Sequence, residues 1–145
     1  MRASPLAGRV PEGPAVWICG DCHVGNLGPL ANGDGEIEVQ IRDLDQAVIG
    51  NPAHDLIRLG LSLATAAHGS DLPGVVTARY LAFVVGKAHG GQMDDATRTA
   101  WLAMLDTAQR CLSDTPSWLW ESVVSLAGSH EAGYLDHCRR YALAA

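Results

Sequence analysis

Three polar residues of this chain have the types and spacing that phosphoryl transfer needs. Asp21 and Asn26 sit five residues apart in Cys19-Gly20-Asp21-Cys22-His23-Val24-Gly25-Asn26, and Asp43 follows in Ile41-Arg42-Asp43-Leu44-Asp45. A carboxylate accepts the proton of an attacking hydroxyl. An amide oxygen and a second carboxylate hold Mg²⁺ against nucleotide phosphates, because hard cations take oxygen ligands. The octapeptide also contains Cys19-x-x-Cys22-His23, which has the form of a c-type haem attachment site.

Those residues need a frame. Ala15-Val16-Trp17-Ile18-Cys19 is a short apolar run and predicts a buried strand, with Gly20 to Gly25 as the loop that leaves it. Asn32-Gly33-Asp34-Gly35 is a turn signal between a weak strand from Asn26 to Leu30 and the alternating Glu36-Ile37-Glu38-Val39-Gln40-Ile41. The resulting hairpin returns the chain so that Asp43 faces Asn26. Asp21 is then left to reach a substrate hydroxyl. From Pro52 the period changes to three and four, through Leu56, Leu59 and Leu63, and predicts a helix apolar on nearly every face that ends at Gly69. Ser70-Asp71 before Pro73 opens a second helix over about 73–89, with Val76, Tyr80, Phe83 and Val84 inward. Asp94-Asp95 opens a third through Cys111, with Trp101, Leu102, Leu105 and Ala108 inward. Ser113-Asp114-Thr115-Pro116 stops it, and Trp118 to Leu126 restarts it, with weak periodicity from Gly128. Strands followed by helices make an α+β fold. The expected organisation is an irregular segment 1–14, a catalytic-loop, metal-loop and helical region 15–112, and a divergent, loosely helical tail 113–145.

Gly20-Asp21-x-His23-x-x-Asn26 with the Asp43-x-Asp45 hairpin exit resembles the catalytic core of the aminoglycoside phosphotransferase and protein-kinase-like superfamily. With Gly50-Asn51-Pro52-Ala53-His54-Asp55-Leu56-Ile57-Arg58-Leu59 added, the chain more closely resembles the bacterial domain of unknown function 2252 over roughly residues 2–112. The resemblance implies Asp21 as catalytic base, Asn26 and Asp43 as Mg²⁺ ligands, and ATP as phosphoryl donor to an unknown, small-molecule or other, acceptor. It implies that Asp55, opening the next helix, steadies the catalytic loop. Arg58 matches a family position of unknown role. Cys19 stands where aminoglycoside phosphotransferases carry a histidine. A glycine-rich lid and its lysine do not precede Asp21; in the resembled family they lie further C-terminal. The expectation is therefore a truncated, kinase-like fragment, its tail native or frameshifted, that turns over no ATP on its own. A module that binds nucleotide or metal without turnover is the alternative.

Other readings of the same residues are plainer. Asp21 and Asp43 can serve as loop carboxylates that cap backbone N–H groups. His23 reads as a loop histidine bonded to backbone, and Asp45 as a second metal contact or a capping residue. Cys19 and Cys22 read as small apolar residues beside a buried strand. The haem reading requires export, and Met1 to Arg9 has no apolar h-region. The four cysteines of the 145-residue chain then fit a reducing cytoplasm. No run nears the roughly 18 apolar residues of a membrane span. Net charge is −6 and no Lys/Arg cluster occurs, so nucleic acid is not an expected partner. Lys87 is the single lysine.

Overall fold

The computed structural model describes residues 10–67, 75–108 and 117–142. Four expectations lie outside them: the irregular segment up to Arg9, the Gly69 stop with its Ser70-Asp71-Pro73 restart, Cys111, and the Ser113–Pro116 stop. The fold is α+β. Strand β1 (Val16–Ile18) leads through a loop and a 3-10 turn (Val24–Asn26) into β2 (Leu27–Ala31), β3 (Ile37–Ile41) and β4 (Val48–Gly50). Helices α1 (Ala53–Ala67), α2 (Val75–Gly90), α3 (Asp95–Ala108) and α4 (Ser117–His137) follow, with a π turn at Cys138–Ala142.

Strand pairing follows from side-chain alternation. In β1, Val16 and Ile18 face inward, and Trp17 between them is 59% exposed. Its antiparallel partner is β4, with Val16 opposite Gly50 and Ile18 opposite Val48. The sequence reading did not contain β4, which has three residues and leaves Val48 and Ile49 exposed. The expected hairpin forms with Leu27 opposite Ile41 and Ala31 opposite Ile37. Asn32 Oδ1 accepts the N–H groups of Asp34 and Glu36 and closes the turn. Pro29 is tolerated because the pair is only two strands wide.

Helix α1 begins where Asn51 Oδ1 accepts the Ala53 N–H at 3.0 Å, and Pro52 fits just ahead of its first residue. Ile57 and Leu59 are buried; His54 and Arg58 point outward. Two apolar clusters flank this helix. One joins Val16, Ile18, Ala53 and Ile57 to Met93, Trp101 and Trp118. The other joins Cys19, Cys22, Leu27 and Leu59 to Leu81, Val84 and Val85. Gly60 admits α4 closely, since a Cβ there would lie 2.8 Å from Val123 Cγ2.

Three details of the helices differ from the periodicity reading. On α2, Leu81, Val84 and Val85 face inward, whereas Tyr80 is 48% and Phe83 63% exposed. That helix is apolar on more than one face, so spacing alone does not choose the buried one. On α3, Trp101 is buried and Leu105 packs beside it, but Leu102 is exposed. The segment from Gly128 continues as regular helix to His137. No described helix is long and apolar enough to cross a membrane.

Candidate active site

The loop after β1 is built around a buried carboxylate. Asp55, in the first turn of α1, is fully buried. Its Oδ2 accepts the Cys19 N–H at 2.8 Å, and its Oδ1 accepts the Gly20 N–H at 3.1 Å. The same Oδ2 stands 2.9 Å from His89 Nε2, on the last turn of α2. A buried carboxylate without such donors would cost several kcal/mol, so these bonds fix the loop backbone. Gly20 has φ +76°, and a Cβ there would collide with the Gln46 carbonyl oxygen, which accounts for glycine directly before Asp21. About two turns further along α1, Ser62 Oγ accepts the Val24 N–H at 3.1 Å.

Asp21 projects outward at 54% side-chain exposure. His23 Nε2 and Arg58 Nη1 lie 3.7 and 3.8 Å from its carboxylate oxygens. His23 thus faces Asp21, not the backbone acceptor expected of it. Asn26 Nδ2 donates to the Asp21 carbonyl at 3.0 Å and to Cys19 Sγ at 3.9 Å. Asn26 O accepts the Arg42 N–H at 2.8 Å, so the hairpin returns beside the loop as its pairing requires. Arg42 Nη2 donates to the Gly25 carbonyl at 2.7 Å. Cys19 Sγ donates to the Asp43 carbonyl at 3.5 Å, which puts one thiol in contact with both Asn26 and Asp43. The Asp43 carboxylate is exposed, and its Oδ1 accepts the Asp45 N–H at 3.1 Å. Asp45 therefore shapes the turn through its backbone.

Burial pushes the Cys22 thiol up to about 12, with nearby Asp55, Cys19 and Asp21 adding to the effect. Burial also raises Cys19, against the opposing effect of a backbone hydrogen bond at Asp21. Both sulfurs stay protonated thiols at neutral pH and pack in the second apolar cluster.

Asn26 and Asp43 offer side-chain oxygens of the kind a hard cation takes. Asn26 spends its N–H donors on the protein, leaving a neutral oxygen, and the Asp43 carboxylate is open to solvent. Among the described residues, no three His, Cys, Asp or Glu side chains come together as a metal cage. A cation held here would draw its remaining ligands from phosphates and water, the usual habit of Mg²⁺.

An open groove of about 950 Å³ borders the site, sharing Cys19 with it and lined by Trp17, Leu44, Tyr80 and Phe83. Lys87 Nζ pairs with Glu38 at 3.5 Å on its wall. Reasoning from sequence missed His89, Gln92, Ser62 and Arg42 as parts of the site. Nothing local marks His89, which lies 34 residues from its partner.

Fold and site together define an α+β protein whose polar loop is gripped by a buried helix-borne carboxylate. Residues 1–79 match the family described as "Uncharacterized protein conserved in bacteria (DUF2252)", and the chain belongs to that family. All seven residues singled out from the sequence (Asp21, His23, Asn26, Asp43, Asp45, Asp55 and Arg58) fall within the match; most of α2, and all of α3 and α4, lie beyond it. No curated protein and no solved structure matches the chain.

Proposed function

We propose that this chain carries the catalytic and metal-binding loops of a kinase-like phosphotransferase that uses Mg²⁺ and ATP. The observation that carries the reading is that the Asn26 amide meets the Asp21 carbonyl and the Cys19 thiol, and the same thiol meets the Asp43 carbonyl, on a backbone held by Asp55. Asp21 accepts the proton of an acceptor hydroxyl. The acceptor oxygen forms a bond to the γ-phosphorus, the bond from that phosphorus to the β–γ bridging oxygen breaks, and ADP leaves. Asn26 and Asp43 would hold Mg²⁺, which when bound neutralises charge on the phosphates. His23 and Arg58 flank Asp21 and orient its carboxylate.

A second reading, binding of Mg²⁺-nucleotide without turnover, is favoured by one observation. The single lysine, Lys87, is engaged with Glu38 on the groove wall. Transfer ordinarily uses a lysine on the phosphates.

Calorimetric titration with ATP, with and without Mg²⁺, tests what both readings share. Binding should require Mg²⁺ and be lost in Asp43→Ala and Asn26→Ala. Binding indifferent to Mg²⁺ or to both substitutions would sink the metal assignment. Asp21→Asn then separates the two readings. It should retain binding and lower any phosphoryl transfer by roughly 10²–10⁴-fold, the usual loss for a general base.

A further inference from the structure

The strand and loop that carry Asp21 are held from two sides, and α1 is only one of them. The other is a single turn at the end of α2. Gln92 Oε1 accepts the Trp17 N–H at 2.8 Å, and Gln92 Nε2 donates to the Trp17 carbonyl at 3.0 Å. One turn earlier, His89 Nε2 meets the Asp55 oxygen that also accepts the Cys19 N–H. Residues 17, 19 and 20 are therefore all tied, directly or through Asp55, to the segment 89–92. That segment is itself braced. Gln92 Nε2 donates to Ala88 O, and Arg98 Nη2 from α3 donates to the Gly90 and Met93 carbonyls.

The two contacts do different jobs. Gln92 pairs with both polar groups of one β1 residue, as an extra strand residue would, and fixes how far the strand slides. His89 acts on the carboxylate. A carboxylate with two backbone N–H partners still has a choice of rotamer, and a third donor from a separate helix removes it. The His89 side chain is 5% exposed, so water does not compete for that bond.

We propose that His89 and Gln92 form a clamp that positions Asp21, with His89 acting through Asp55 and Gln92 through Trp17. Both residues lie outside the stretch matched by the family. Both also line the groove, so material bound in the groove would press on the clamp directly. The functional consequence rests on the phosphotransferase reading; the clamp itself does not.

Amide hydrogen exchange on the 145-residue chain tests it. His89→Leu should speed exchange at Cys19 and Gly20 by about 10-fold or more, with the β2–β3 hairpin amides unchanged. His89→Gln, which keeps a side-chain N–H donor, should restore most of the protection. Gln92→Leu should speed exchange first at Trp17. If His89→Leu does not fold, the selective loss at Trp17 in Gln92→Leu carries the test. Exchange that rises uniformly over the whole chain, no change at residues 17–20, or no rescue by glutamine would each overturn the clamp. Nucleotide titration of the same samples keeps the two ideas apart. Intact protection changes without any Mg²⁺-dependent binding would remove the phosphotransferase reading and leave the clamp standing.

Discussion

At the scale of single residues, the site is organised by what is buried beneath it. Asp21, Asp43 and Asp45 are exposed, and their positions follow from Asp55, Cys19 and Asn26 below them. Cys22 offers a check on this layering that is independent of any ligand. Its thiol is raised by burial from an ordinary 9.0 to about 12. The folded state therefore favours the neutral thiol more strongly than the unfolded chain does. Its contribution is fully present below about pH 9, and is lost as pH rises from there toward 12. Stability measured by urea denaturation should fall across that window, and Cys22→Ala should flatten the fall. The same burial predicts that Cys22 resists alkylation at pH 8 in the native protein and reacts once it is denatured. Rapid labelling of native Cys22 would show that the loop is open.

At the scale of elements, what was legible in the sequence had a local cause. Asn32-Gly33-Asp34-Gly35 and the period-two run after it specify the hairpin, and Asn51-Pro52 with the leucine spacing specifies α1. The Asn26 amide and the Asp43 carbonyl meet at the Cys19 thiol because that hairpin has to bring the chain back. β4 escaped notice because a three-residue strand carries too little pattern. Val84 faces inward on α2 as its spacing predicts, but Leu81 and Val85 escaped because large side chains at Tyr80 and Phe83 offer a competing stripe. His89 and Gln92 could not be read locally, since their partners lie 34 and 75 residues away. The central position of α1 yields a prediction at this scale. Leu59 is 2% exposed and packs in the second cluster, so Leu59→Ala should cost about 2–5 kcal/mol. Asp43→Ala removes only an exposed turn contact and should stay within about 0.5 kcal/mol of the parent. Chemical-denaturation midpoints compare the two directly. A neutral Leu59→Ala beside an unfolding Asp43→Ala would make α1 peripheral and Asp43 a structural carboxylate.

At the scale of the whole molecule, α4 is a packed part of the core. Residues 113–145 read as a divergent tail, yet α4 lies along α1 and supplies Trp118, Ser122 and Val123 to the interior. In the structure α2 and α4 take the sides of α1, and α3 reaches the same cluster mainly through Trp101. Domains of this size are stable by only about 5–15 kcal/mol, and each large buried side chain contributes roughly 1.5–3 kcal/mol of that. Ending the chain before Ser117 uncovers Ile57 and the approach at Gly60 while leaving every proposed site residue in place. The shortened chain should lose its cooperative unfolding transition, keep much of its far-ultraviolet helical signal and bind a hydrophobic dye, as a compact state without fixed packing does. Near-ultraviolet dichroism and a urea titration measure this. A shortened chain with the parent's denaturation midpoint would mean that α4 is an appendage, and that the core closes on α1, α2, α3 and the strands alone.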